Sequence, residues 1–146
     1  MFLLASLLLT GMVIGQRQNP ITWNFEAKKK NAVTYDIILT ATIDNPWHIY
    51  SQNTDKGGAD PTIINFKPNP LVVKNGIIKE IGKLKKTYEK LFGANVLFYT
   101  EKVQFVQTVK VKNGIKTTIN GMIQYSVCDD NTCMPPAKKL FDLVLL

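Results

Sequence analysis

Apolar and polar residues alternate with a period of two along most of the chain. Ile21, Trp23 and Phe25 alternate with Thr22, Asn24 and Glu26. Successive strand side chains point to opposite faces, so this run reads as a half-buried strand. Lys28 to Asn31 follows as a polar turn. Val33, Tyr35, Ile37, Leu39, Ala41 and Ile43 then form the longest clean alternation in the sequence. Asp44-Asn45-Pro46 stops it, because proline lacks an amide donor and fixes φ. A polar, glycine-bearing loop, SQNTDKGGADP, covers 51–61 and leads into a short strand over 62–66. Lys67 to Pro70 is a turn, and 71–81 reads as two short strands around Asn75-Gly76. Further strands are predicted over 96–99, 103–111, 115–127 and 140–146. Asn113-Gly114 is a strong hairpin signal, since both residues tolerate the positive φ of a type I′ turn. Only KLKKTYEKLF at 83–92 has helical character, and a loop containing a helical turn fits it equally well.

About eight or nine short strands with regularly spaced turn signals predict an all-β chain, an immunoglobulin-like antiparallel β-sandwich. A small barrel shares the same periodicity. No repeat, linker or low-complexity tract divides the sequence, so residues 16–146 read as one domain.

The first residues break the pattern. Phe2 to Ile14, FLLASLLLTGMVI, is an apolar run of about 13 residues, too short to span a bilayer and right for the core of a signal peptide. Residues 1–15 are therefore expected to be a leader, cleaved near Gln16, although no lysine or arginine precedes the run. No cysteine follows the leader directly, so a lipoprotein anchor is not indicated, and the mature chain is expected to be exported and soluble.

Composition narrows the function classes. The 146 residues are 45% hydrophobic and 20% charged, which suits a folded domain with its own core. The net charge of +7 invites a nucleic-acid reading, but Arg17 is the sole arginine. Base and phosphate recognition favours arginine's planar fork, so the dispersed lysines read as solvated surface and no nucleic-acid partner is expected. Two cysteines are too few for a disulfide-built scaffold. With one histidine, they are also too few for a closed four-ligand zinc site unless carboxylates contribute.

The chemistry rests on YSVCDDNTCMPPAKK at 125–139. Cys128 and Cys133 have neither the spacing of thioredoxin-type enzymes nor that of a zinc knuckle. In an exported protein they are expected to meet as a disulfide. A six-residue loop contributes only about 2 kcal/mol in the chain-entropy description, little return for a structural staple. Nor can so local a pair clamp two sheets as an immunoglobulin disulfide does. Pro135 and Pro136 stiffen the exit from the loop. Asp129 and Asp130 lie between the sulfurs, where negative charge disfavours thiolates and slows adventitious oxidation. Acidic residues are also common in turns. A redox pair and an inert loop staple in a binding or adhesion module both remain open on the residues alone.

Three stretches resemble the N-terminal periplasmic domain of the thiol:disulfide interchange protein DsbD, the disulfide-corrector domain family. They are DNPWHIYSQ at 44–52, YEKLFG at 88–93 and YSVCDDNTCMPP at 125–136. The resemblance implies an immunoglobulin-like domain whose redox-active pair is Cys128 and Cys133, with Cys133 forming the mixed disulfide with partners. It implies a shielding cap at 91–93, with Phe92 as the shield and Leu91 as the other candidate; ordinary core packing is the competing reading for Phe92. Trp47, His48 and Tyr50 match an aromatic cluster beside the pair, with core packing again the alternative and, for His48, a hydrogen-bonded or surface histidine rather than a catalytic base. The implied partners are a membrane-embedded thiol reductase as donor and thioredoxin-like periplasmic proteins as acceptors, serving disulfide isomerisation or cytochrome c maturation. The resemblance implies a protein-disulfide reductase component, and the chain is expected to be a monomer that needs no cofactor or metal. An acidic residue often follows the prolines in the family, whereas Ala137 and two lysines stand here. The chain stops at Leu146, so the donor is expected to be a separate protein.

Overall fold

The alternating runs fold as strands. The computed structural model describes residues 19–146, so the expected leader and its expected cleavage near Gln16 lie outside the described residues. Eleven strands follow one another: β1 Ile21–Lys29, β2 Thr34–Ile43, β3 His48–Tyr50, β4 Ile63–Phe66, β5 Val72–Gly82, β6 Lys85–Glu89, β7 Ala94–Tyr99, β8 Lys102–Val111, β9 Thr117–Tyr125, β10 Val127–Cys128 and β11 Ala137–Leu145. All pair antiparallel, in sheets ordered β1-β2-β8-β5, β10-β3-β7-β6 and β11-β9-β4. The last two are joined by one run of chain, since only Ser126 separates β9 from β10.

The architecture is the immunoglobulin-like sandwich that the alternation predicts. Along β2, Tyr35, Ile37, Leu39, Ala41 and Ile43 point inward and are buried, as the period of two requires. They meet Phe105 and Val109 of β8, and Ile119, Ile123, Phe141 and Leu145 from the facing sheet, in the main core. Trp23 and Phe25 of β1 close its side, with the Phe25 and Phe141 rings 5.5 Å apart. Gly121 of β9 lies beneath Phe141. A Cβ there would sit 2.3 Å from Phe141 Cζ and 2.6 Å from the Asn65 carbonyl oxygen, so only glycine fits.

Four details differ from the sequence reading. Among the described residues the strand count rises from about eight or nine to eleven, because β3 and β10 have three and two residues, too few to show alternation, and 83–92 supplies β6. The stretch 83–92 is no helix: Lys85–Glu89 is strand β6, paired with β7, and only the turn after it curls back. The two strands read around Asn75-Gly76 are one strand, β5, whose register shifts between Asn75 and Lys79. Gly76, at φ 79°, takes up that bulge. Asn113 and Gly114 do adopt positive φ, 55° and 60°. They join no hairpin, however: β8 pairs with β2 and β5, β9 with β11 and β4, so the turn carries the chain between sheets.

A second, smaller apolar cluster lies at one end, formed by Tyr50, Ala59, Val96 and Cys128, with Phe92 and Phe98 against it. It positions the site described next.

Candidate functional site

Cys128 ends β10, the edge strand of its sheet, and pairs in register with His48 of β3. The pleat divides these short strands between two cores. Ile49 and Val127 face the main core, while His48, Tyr50 and Cys128 share the opposite face with Val96 and Phe98. Cys128 and Cys133 form a disulfide across an antiparallel bridge. Its two sulfurs live in different surroundings: Cys128 is wholly buried and Cys133 exposed.

The loop between them is tied internally. The Asp129 carboxylate accepts hydrogen bonds from the Asn131 and Thr132 amides, at 2.9 and 2.8 Å. The Asp129 amide donates to the Thr132 carbonyl at 2.9 Å, and the Met134 amide to the Val127 carbonyl at 2.8 Å. The Asn131 amide first, then that of Thr132, holds the Asp129 carboxyl below the usual carboxylate range. Asp129 therefore builds the turn, while Asp130 stays exposed beside it. Pro135 and Pro136 are exposed where the chain leaves the loop.

A polar triad lies against the buried sulfur. Tyr50 Oη donates to both Glu89 carboxylate oxygens, at 3.0 and 2.8 Å, and is 3.1 Å from His48 Nε2. His48 Nε2 is 3.6 Å from Glu89 Oε1, and a ligand atom from each of His48, Glu89 and Cys128 lies within 4.8 Å of the others. Burial lowers the His48 pKa, with Glu89 and then Asp130 and Asp129 pulling the other way. Burial, with the hydrogen bond to Glu89, pushes the Tyr50 hydroxyl upward and keeps it protonated. The His48 ring packs on Phe98, centroids 4.7 Å apart. A cavity of about 220 Å³, lined in part by His48, Glu89, Phe98 and Asp130, connects this triad to solvent. The larger cleft, of about 570 Å³, lies elsewhere, between Ile81, Lys83, Glu101 and Lys102, and holds no cysteine or histidine.

The remaining sequence candidates divide. Phe92 is half-buried, stacks edge-on against Tyr50 at 6.1 Å and joins the Cys128 cluster. Leu91 beside it is 50% exposed. Trp47 packs against the main core, away from the small cluster to which Cys128 belongs.

Two glutamates went unread in the sequence. Glu89 stands in the quoted YEKLFG stretch but looked like any surface charge. Glu80 of β5 accepts hydrogen bonds from Ser51 Oγ, the Gln52 amide and Tyr99 Oη, each at 2.7 Å, and so pins the chain leaving β3. Alternation across 76–81 carried no sign of it, because a residue beside a bulge changes face.

Fold and site together describe an all-β domain with a local disulfide on a sheet edge, one sulfur buried and the other exposed. The chain belongs to the family described as thiol:disulfide interchange protein DsbD, N-terminal, matched over residues 18–145. Among solved structures, the reduced DsbD N-terminal domain of Neisseria meningitidis superposes with a TM-score of 0.51 at 14% identity, covering 77% of this chain and 84% of that one. The complex of the DsbD and PilB N-terminal domains from the same organism gives 0.51 at 14%, covering 82% and 80%. The N-terminal periplasmic domain of ScsB from Proteus mirabilis gives 0.52 at 18%, over 88% of this chain and 46% of that one. At these identities the likeness shows the fold. No curated protein sequence matches the chain.

Proposed function

We propose that the chain is an exported, periplasmic thiol–disulfide exchange module. It receives electrons from a membrane-embedded thiol reductase and passes them to thioredoxin-like proteins through Cys128 and Cys133. The observation that carries this reading is the asymmetry of the disulfide, with Cys133 exposed on a sheet edge and Cys128 buried behind it. Family membership and the solved complex of a DsbD N-terminal domain with a PilB domain support it. Among the described residues no helix is long and apolar enough to cross a membrane.

Exchange proceeds in balanced steps. A donor thiolate attacks the exposed Cys133 sulfur, a donor–Cys133 disulfide forms, and Cys128 leaves with the bond's electron pair. The Cys128 sulfur takes up a proton inside the pocket that holds His48 and Glu89. The donor's second thiol then attacks its own half of the mixed disulfide and frees Cys133. In the second half-reaction the Cys133 thiolate attacks the acceptor disulfide, and Cys128 resolves the mixed disulfide by re-forming its bond to Cys133. The acceptor departs as a dithiol, two electrons and two protons richer. Phe92 shields the buried sulfur between encounters.

Single-cysteine variants test the direction of attack. Cys128→Ser should accumulate a mixed disulfide with a thioredoxin-like partner, since the resolving thiol is gone, and Cys133→Ser should trap none. No trapped species from either variant would return the chain to a binding module with a loop staple.

A further inference from the structure

We propose that the reduced site binds one zinc ion through Cys128, Cys133, His48 and Glu89, and that re-forming the disulfide expels it. This goes beyond electron transfer and depends on no partner, only on reduction of the Cys128–Cys133 bond.

The donor set is already gathered. One ligand atom each from His48, Glu89 and Cys128 lies within 4.8 Å of the others. A tetrahedral zinc with bonds of about 2.0–2.3 Å spaces its ligand atoms roughly 3.3–3.8 Å apart, so closure needs shifts of only about 1 Å. Cys133 is bonded to Cys128, so its sulfur starts at the same place and is freed by reduction. Its exposed loop can reposition it as the fourth ligand. One histidine and two cysteines leave a zinc site one ligand short, and Glu89 supplies the missing one.

The surroundings suit a cation. The Glu89 side chain is 11% exposed and that of His48 8%, so both ligands are largely desolvated. Tyr50 Oη donates to the Glu89 carboxylate and fixes its orientation, as outer hydrogen bonds do at zinc centres. The cavity past His48, Glu89 and Asp130 gives an entry path, with Asp130 at its mouth and one lysine, Lys90, opposing. Imidazole nitrogen, carboxylate oxygen and two thiolates together favour zinc. Calcium and magnesium prefer all-oxygen sets, and cuprous ion prefers sulfur without carboxylate.

The balance closes without any redox change at the metal. Two thiols bind Zn²⁺ and release two protons. When an acceptor disulfide takes two electrons from the two thiolates, Cys128 and Cys133 rejoin, the acceptor gains two protons, and Zn²⁺ departs with two ligands lost. Zinc thus parks the reduced site in a form that an oxidant must displace.

The first comparison is between the two redox states of the wild-type protein, where no substitution can confuse folding with binding. Protein reduced by a phosphine and protein left oxidised are titrated anaerobically with Zn²⁺ against a chromophoric chelator. Both are also titrated with Co²⁺, read by its thiolate charge-transfer band. One ion per reduced chain and none per oxidised chain is expected. Glu89→Gln and Cys133→Ser should each weaken binding at least about tenfold, the lower end of what losing even an outer-shell partner costs. Equal binding by both states, no binding by the reduced state, or an unchanged Glu89→Gln would overturn the site. Because no partner protein is present, these outcomes are separate from failure to trap a mixed disulfide.

Discussion

Reducing Cys128–Cys133 should cost the fold little, and the size of that cost fixes how far folding can bias the redox couple. The cysteines are five positions apart, so the closed loop has six residues. A cross-link stabilises mainly by restricting the unfolded chain, and a loop this short is worth about 2 kcal/mol. Oxidised protein should therefore melt about 6–10 °C above reduced protein. The same free energy must appear in the redox equilibrium. Folding makes the disulfide harder to reduce by the amount the disulfide stabilises the fold, and about 2 kcal/mol corresponds to about 45 mV for two electrons. The folded pair should thus lie only about 45 mV below the pair in denatured chain.

Native contacts add little to that difference, because the hydrogen bonds of the loop do not involve sulfur. Asp129 still holds the Asn131 and Thr132 amides, and the Met134 amide still reaches Val127, when the bond opens. The assay is equilibration against glutathione or dithiothreitol, with and without concentrated guanidinium chloride, beside denaturant unfolding of both redox forms. The native value should fall between about −120 and −270 mV, the window of exchange-active pairs. A stability loss near 5 kcal/mol on reduction would refute the reasoning. It would come with a native shift of about 110 mV and mark the pair as a staple.

Phe92→Ala should open the shield: alkylation of the reduced cysteines by a bulky reagent should accelerate, and stability should fall by about 2 kcal/mol, half the cost of a fully buried phenylalanine. Unchanged alkylation with a full core loss would place Phe92 in the core alone. Gly121→Ala should lower stability by about 3 kcal/mol, since Phe141 and the Asn65 carbonyl both obstruct a Cβ; chemical denaturation reads this, and a neutral result would contradict the packing of the Phe141 ring over Gly121. The Asp129 carboxyl is depressed, so its stabilisation of the loop is present above the ordinary value of about 4 and is lost as pH falls through its folded value. The amide shifts of Asn131 and Thr132 should titrate with the Asp129 carboxyl in an NMR series, and independent midpoints would count against the turn.

Long elements were legible because a period of two survives any tertiary setting that buries one face. β2 shows this over ten residues, with each inward position buried as read. The site was legible only as a cysteine motif and a resemblance. Its geometry depends on β3 and β10, three and two residues long, which no periodicity reveals. Glu89 was hidden for a different reason. It closes β6 in a lysine-rich stretch that resembles a solvated helix face, and its partner Tyr50 lies 39 positions away. The stretch becomes a strand because β7 offers it an edge, a tertiary effect that outweighs the helical propensity of its lysines. The turn at Asn113-Gly114 teaches a related limit. Positive φ is a local property and was read correctly, whereas the partners of the flanking strands are decided elsewhere.

The division into two apolar clusters separates the main core of this small sandwich from the Cys128–Cys133 bond. Ile49 and Val127 belong to the main core, while Tyr50 and Cys128, their chain neighbours, belong to the small one. Adjacent residues of a strand face opposite ways, so two short strands can serve both cores with no extra element. Opening the disulfide then disturbs packing only on the far side of β3 from Phe105, Ile123 and Phe141. The same pleat makes the register between β3 and β10 decisive. A slip of β3 by one residue would turn Ile49 toward the small cluster and His48 and Tyr50 into the main core, leaving Cys128 without His48 and Glu89 without Tyr50. Glu80 opposes that slip: it holds Ser51 and Gln52 immediately after β3, and Thr62 Oγ1 donates to the Tyr50 carbonyl at 2.6 Å. Those contacts touch no reacting atom, yet they keep Cys128, His48 and Glu89 on one face.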